Sequence, residues 1–565
     1  MKIFSNRRAG WRVPSAAGSR AAARVSARVN WYVIPAVIIL CALELSAAAK
    51  DDGALILERA NSNENIYSGG EFVSYLRGNV VFRYEGMRIS SDEATWWKSK
   101  GIVDFRKNVK AEEKGQIVTC DRMHFSREKS LLTAVGNVLY VDSAKITLIS
   151  GTNAEYATDK KECVLRGNPL LTRIDSSGVD TLFIRGRVMK YDDSLKIATV
   201  TDNVNIRQGE LVATCRKSDY FVNANTALLR INPVINYEKH RVTGDSIDLF
   251  FDEQKLKSAS VMGNAHGRGT EVDSSKDTTI TNVRSDSLYL TMYESGKMSG
   301  MKAYGHARGD FSETTAATKA KKVTHVTGDS LQMSMFETGK ISGMKAHGHA
   351  HGNINEHTES TKVKTVTKIT SDSLQMFMFE TGKINGMKAH GHAVGSYSEV
   401  SELTGNATTM DITSDSMHMS MFETGKVNAM KAFGSAHGRS AEWGAASTDS
   451  TITHIWSDSL RVAVAEEGKV NSMKAFGSVL SRNFVQGDSA RANEVSGQRM
   501  MITFGDGGKI EKAVIRGNAK SVYYIEDTDG GGCNEAGGEQ IVVTFSQGKA
   551  QRLRVRGNSK GIYYP

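Results

Sequence analysis

Proline is nearly missing from this 565-residue chain: there are 5, and none lies between Pro233 and Pro565. Proline has no N–H to give to a ladder, so that long stretch is free of obligate interruptions and suits a continuous sheet. Cysteine is equally scarce, at 5, and no pair shows the Cys-x-x-Cys spacing of zinc or thioredoxin-like sites. No phosphate-binding loop or Gly-x-Gly-x-x-Gly turn is present, and Ser, His and acidic residues never form a single, non-repeating constellation. These absences disfavour nucleotide-dependent and hydrolytic chemistry, and the chain is expected to be no enzyme. Helical spacing of apolar residues is almost absent, and aromatics make up 7%.

The apolar run Trp31 to Leu43 is short for a bilayer span and sits in a leader. Lys2, Arg7, Arg8, Arg12, Arg20, Arg24 and Arg28 precede it and Ser46-Ala47-Ala48-Ala49 follows. Residues 1–49 therefore read as a signal peptide, or as an N-terminal anchor in the inner membrane if it stays uncleaved. Cys41 follows Ile39-Leu40 rather than small residues, which disfavours lipidation. The formal charge of +10 falls to +4 once this leader is set aside, so a nucleic-acid partner has little electrostatic basis. Cys120, Cys163, Cys215 and Cys533 remain, and an exported chain could oxidise them in any of three full pairings.

What the chain has is repetition. Five segments beginning with SDSLYLTMYESGKMSGMKAYGHARG carry Asp286, Asp329, Asp372, Asp415 and Asp458 at a constant interval of 43 residues. A weaker unit surrounds them, marked by Gly-Asn or a relative at Gly78-Asn79, Lys107-Asn108, Gly136-Asn137, Gly167-Asn168, Asp202-Asn203, Ile231-Asn232, Gly263-Asn264, Gly517-Asn518 and Gly557-Asn558. The spacings divide the exported part into 50–270 with units of about 30 residues, 271–481 with the five long repeats, and a C-terminal block, 482–565.

Within a unit the period is two, the signature of strands. Leu331, Met333 and Met335 share one face, Glu337-Thr338-Gly339-Lys340 makes a turn, and Met344, Ala346, Gly348 and Ala350 share the next face. Leu76, Gly78, Val80, Phe82 and Tyr84 repeat the scheme, as do Leu132, Ala134, Gly136, Val138 and Tyr140, and Ile247, Leu249 and Phe251. A glycine recurring in mid-strand predicts a bend at the same height in every strand, which folds a stack of antiparallel hairpins into a V. The polar stretches Asp310 to Thr327 and Asn353 to Thr370 read as hairpin tips or loops that lengthen the unit without changing its core.

The unit apolar-x-small-x-Gly-Asn-Val, with Asp-x-apolar-x-apolar about 14 residues on, resembles the repeat of the LptA/OstA family. Clear copies are Leu76 to Val80 with Asp92 to Trp96, Ala134 to Val138, and Val514 to Ala519, and the pattern covers nearly all of residues 55–564. The resemblance implies an all-β jellyroll, or β-taco, of the periplasm whose hydrophobic interior carries acyl chains of lipopolysaccharide toward the outer membrane. It implies a glycolipid ligand and other components of that transport system as partners through edge-strand pairing. The outer-membrane barrel of the family's large member has no counterpart here, since no run of amphipathic ten-residue strands ends the chain. The Met- and His-rich repeats of 43 residues depart from the family pattern.

The residues expected to line a lipid-holding trough are Phe82, Tyr84, Trp96, Phe125, Val138, Tyr140, Leu249, Phe251, Met301, Met333, Met335, Met344, Met387, Met430, Met473, Ile515 and Val555. Methionine gives a soft lining that adapts to irregular ligands. The competing expectation is a tightly packed structural or adhesive β-solenoid whose polar loops bind protein partners. His347, His349 and His351 alternate along one strand and read as an outward polar ladder rather than a metal site, so neither metal nor cofactor is expected. The Ser-Asp-Ser triplets read as turn and strand-start residues. Outward Arg77, Arg83, Lys302, Lys345, Lys388, Lys431, Lys474 and Arg516 could attract phosphorylated sugar headgroups.

Overall fold

The computed structural model describes residues 53–565 apart from 175–180, 253–254, 273–275, 318, 444–450, 467–468, 506–509, 525–530 and 547–548. Residues 1–49, expected to be a signal peptide or anchor, lie with Cys41 outside the described residues. Gly53–Pro565 forms one unit. It is all-β: among the described residues 34 strands join into one antiparallel sheet in which sequence neighbours are mostly spatial neighbours. Among the described residues the sole helical element is the short 3₁₀ turn Ser489–Arg491. The alternation of apolar and polar side chains fixes this outcome, because a slip by one residue would turn each apolar set out to water.

Long strands such as Glu71–Tyr84, Ile102–Glu113 and Lys255–Val272 each cross a bend. At the first bend, register passes from Arg77 opposite Glu93 to Val80 opposite Ser91, so Gly78 and Asn79 together face Asp92. Both residues of the pair hold positive φ, 70° and 49°. Glycine meets that demand freely, and asparagine is among the side chains that tolerate it best. The following strand repeats the bulge at Lys107-Asn108 against the same Asp92, and Asn108 donates to its carboxylate at 2.7 Å. Strict alternation is thus suspended at the bend. Leu76 and Val80 remain on the inner face, while Gly78 sits at the outer ridge against the Asn61 side chain.

The Asp of the Ser-Asp-Ser triplets is therefore the ridge residue that receives the bulge of each neighbour. His306 and His392 occupy the Asn position with φ of 47° and place Nδ1 at 3.2 and 3.3 Å from Asp286 and Asp372. The residue before the ridge Asp is small and faces inward. Ser285, Ser371, Ser414 and Ser457 each donate to the carbonyl two residues on, and Cys120 and Cys215 do the same at 3.2 and 3.1 Å. All four cysteines among the described residues are free thiols.

Two bends carry proline, Asn168-Pro169 and Asn232-Pro233, and there the strands break in two: Glu162–Arg166 with Leu170–Arg173, and Thr226–Arg230 with Val234–Tyr237. The missing N–H stops the ladder at the point where the chain turns.

The expectation of polar loops in the long repeats is corrected. Asp310–Thr314 ends the strand Met298–Thr314, and Lys321–Thr327 opens the strand Lys321–Met335, with a turn at Ala316-Ala317 after the first. Asn353–Thr358 and Val363–Thr370 are likewise strand. Alternating Val and Thr, as in Lys322-Val323-Thr324-His325-Val326-Thr327, favours a pleated surface despite its polarity. The extra residues lengthen one arm of the V.

Candidate functional site

The bend divides the sheet into a first arm, containing Leu76, Trp96, Phe105 and Phe125, and a second arm, containing Val80 to Tyr84 and Met87 to Ser91. The space between their inner faces is the candidate site. Phe82 of the second arm meets Trp96 and Phe105 of the first edge-on, with ring centroids 5.3 and 5.4 Å apart. Tyr84 meets Phe125 at 4.8 Å, and Tyr140 meets Tyr191 at 5.7 Å. One continuous hydrophobic core runs from Leu76 to Val543.

Every residue expected to line the trough lies in this core or packs against it. Phe82, Tyr84, Phe125, Val138, Leu249, Phe251, Met301, Met333, Met335, Met344, Met387 and Ile515 are buried. Trp96, Tyr140, Met430, Met473 and Val555 are partly covered against it. Pairing shows more methionine than repeat counting found: Met301, Met333, Met344, Met376, Met387, Met419 and Met430 form a single cross-strand ladder on the first arm. Met376 and Met419 were within reach of the sequence, since the Glu-Thr-Gly-Lys turn fixes which residues face one another.

The sequence reading also missed a glycine column. Gly309, Gly352, Gly395 and Gly438 alternate along the second arm with Val326, Ile369 and Ile412. A Cβ on Gly309, Gly352 or Gly438 would come within 3.0 Å or less of Leu331, Leu374 or Leu460 of the first arm, and one on Gly395 would reach Met417 Sδ at 2.9 Å. Large residues of one arm thus fill gaps in the other. In the long-repeat block the layer beside the bend is interlocked.

Away from the bend, the second arm becomes polar in steps. The row after the glycines contains Phe311, Thr324, Ile354, Thr367 and Tyr397, and Glu271 and Glu399 follow at its rim. Burial holds the Glu271 carboxyl above its ordinary range, against the opposing pull of Lys239 and Lys340. Two cavities of about 90 Å³ lie between the arms. One is bounded by Val242, Gly267, Met301, Met333 and Ile341. The other is bounded by Val118, Leu132, Val138, Tyr140, Ile149 and Tyr191.

Polar atoms inside this space are unevenly satisfied. Tyr220 Oη, Gln208 Nε2 and Arg173 Nε are buried with no hydrogen-bond partner among the described residues. Burial pushes the Tyr220 hydroxyl up to about 12, with Arg173 acting in the opposite direction. Burial likewise pushes the Cys120 and Cys215 thiols up to about 11, leaving them protonated and poor nucleophiles at neutral pH.

Across the mouth, opposite the bend, the arms touch through side chains. The Tyr140 hydroxyl and Gln116 amide donate to Asp193 at 3.3 and 3.4 Å, and the Tyr237 hydroxyl donates to the Gly296 carbonyl. The ladder hydrogen bonds run from strand to strand within each arm. Outside, His347 and His349 are exposed, and no group of three or more His, Cys, Asp or Glu able to hold a metal occurs among the described residues. No helix among those residues is long and apolar enough to cross a membrane.

No protein-family model matches the chain, and no curated protein matches it. Among solved structures it is similar to the crystal structure of LptH from Pseudomonas aeruginosa, described as the LptA-homologous periplasmic component of the lipopolysaccharide transport device. The match has 13% sequence identity and a TM-score of 0.15, and covers 26% of this chain and 82% of that one.

Proposed function

We propose that this chain is a non-enzymatic, periplasmic lipid carrier that holds the acyl chains of lipopolysaccharide, or of a similar glycolipid, between its two arms on the way to the outer membrane. The observation that carries this reading is an unbroken apolar interior closed by backbone on one side only. Parting the arms at the mouth costs side-chain contacts and leaves the ladders intact, so the space can widen without unfolding. The cavities of about 90 Å³ are too small for a fatty tail, and a ligand therefore enters by displacing one arm from the other. Each buried methylene contributes about 0.8 kcal/mol, so a tail of about a dozen carbons returns roughly 10 kcal/mol toward that separation. The unpartnered Tyr220 Oη, Gln208 Nε2 and Arg173 Nε suit the ester and hydroxyl oxygens near the head of such a tail. The repeat's likeness to the LptA/OstA family points the same way.

A second reading, a structural solenoid, is favoured locally by the fit of Leu331, Leu374 and Leu460 into the glycine column. Photo-crosslinking side chains at Phe82, Met344 and Lys345 separate the two in cells. The carrier reading expects lipid captured at Phe82 and Met344 and none at the outward Lys345. Capture at Phe82 alone makes the long-repeat block a spacer. No lipid at either inward position removes the carrier function.

A further inference from the structure

The outer ridge is acidic at most bends, with Asp92, Asp121, Asp245, Asp286, Asp329 and Asp372 taking the position that receives the neighbouring bulges. In one place the sign is reversed. The residues standing there are Arg187 and Arg216, flanking the Asp202-Asn203 bulge on either side. Arg216 lies 4.0 Å from Asp202. Arg187 donates its backbone N–H to Thr201 and Asp202 while its side chain stays exposed.

Arg187 opens onto a cleft of about 900 Å³ on the outer face of the second arm, beside the break at Pro169. Arg185 and Arg207 also line it, and no ion pair holds Arg185, Arg187 or Arg207 among the described residues. Arg207 Nε donates to Asn205 Oδ1 at 2.9 Å, which fixes a guanidinium edge next to an amide. Phe183, 39% exposed, supplies an apolar surface in the same row as Arg207. Arg187 stands at a ridge position where most bends place a carboxylate, and with Arg185 and Arg207 it brings to the cleft three guanidinium groups without an ion pair among the described residues. Their planar forks suit phosphate oxygens, while Asn205, Asn168 and Phe183 offer amides and a flat face to a sugar ring.

We propose that this cleft is a binding site for a phosphorylated sugar. It lies outside the interior, so the proposal stands or falls apart from lipid capture between the arms. The phosphate reaches the cleft either on a free sugar phosphate or on a lipid headgroup.

In the test, the full chain is titrated with glucose 1-phosphate, inorganic phosphate and glucose. Separately it is mixed with phosphatidylcholine vesicles with and without phosphatidic acid. Saturable binding of glucose 1-phosphate, weaker binding of phosphate, none of glucose, and loss of affinity with added salt are expected. Arg187→Asp installs the residue type that Asp121 and Asp245 show the ridge accepts, and it should weaken binding roughly tenfold or more. Arg185→Gln with Arg207→Gln should do the same while the strand circular-dichroism signal is unchanged. Retention on phosphatidic acid vesicles that the variants lose supports the site with a lipid source, and binding of the soluble compound alone supports it with a free one. Equal affinity for phosphate and glucose 1-phosphate would overturn the assignment of a sugar. Absence of binding, or binding that both variants leave intact, would overturn the site.

Discussion

Gly348 is the sharpest place to test the bend. It holds φ of 71°, and a Cβ built there would overlap the Asp329 carboxylate. Placing an L-residue in the left-handed region costs about 1–2 kcal/mol. Asp329 must also swing away from His349, but that pair is solvent-exposed and adds little. The chain shows that the cost is bearable, because Lys107, Asp202 and Ile231 occupy equivalent bulges at φ of 65°, 60° and 65°. Gly348→Ala should therefore leave the stack folded but open its bend more often. Amide exchange followed by mass spectrometry should quicken by a factor of about 5–30 in the strands Lys321–Met335, Ile341–Thr358 and Val363–Met378. Strands far along the stack should keep their wild-type rates, since each layer rests on its neighbours. Adding Asp329→Ala should recover part of the loss by removing the overlap, and the left-handed cost would remain. Unchanged exchange in Gly348→Ala, or an equal rise over the whole of Gly53–Pro565, would refute the reasoning.

Met376→Ala should lower local stability by about 2–5 kcal/mol in the same exchange measurement, while Lys345→Ala should change it by less than about 0.5 kcal/mol; similar effects for both would deny that the methionine ladder is core. Burial holds the imidazoles of His437 and His454 below their ordinary value, so the fold keeps them neutral while the unfolded chain takes up protons near the ordinary 6.5. The contribution of the strands Val427–Trp443 and Thr451–Val464 is therefore complete above that pH and declines as pH falls through it toward the depressed folded values, and exchange corrected for its intrinsic pH dependence should show the loosening there. Among the described residues both ends of the stack are open edges, with Ile66 at one and Ile562 at the other exposed by 43% and 54%. Sedimentation should show concentration-dependent self-association that Ile66→Lys and Ile562→Lys reduce.

The fold was legible because one period governs almost every unit. Alternation around Phe82 and Met344 placed those residues inside, and the recurrent glycine announced the bend. The reason for the ridge aspartates was not legible, since Asp286 owes its place to bulges on two neighbouring strands, and pairing across strands has to be known first. The sequence left the pairing of Cys120 and Cys215 open for the same reason: like Ser285 and Ser371 they are small inward residues at the bend, each donating to the carbonyl two residues on. The long polar segments were misread because Thr324 and Thr367 count as polar in composition but as β-formers in a strand. Gly309 and Gly352 escaped notice among many glycines, for only the opposing arm shows what their missing side chains make room for. The cleft at Arg187 was hidden too, because a single arginine means little until it stands in a column of aspartates.

One backbone solution thus supports different linings along the stack. Three residues past the bulge, the inward position is Phe82, Tyr140 or Ile206 in the early units, Gly309 to Gly438 in the long repeats, and Ser481 and Ser521 near the end. The strands and bends hardly change, so these substitutions act on the gap between the arms. Bulky aromatic pairs prop the early arms, and on the proposed carrier reading a tail replaces that packing. Glycine against leucine brings the middle arms together at the bend, which confines any ligand there to the methionine layer nearer the mouth. The Ser521 hydroxyl, buried without a partner among the described residues, adds a polar group to the last part of the interior. A tail held between the arms therefore meets a falling apolar contact from the early units to the last, and its residence should be longest where Phe82, Trp96 and Phe105 meet.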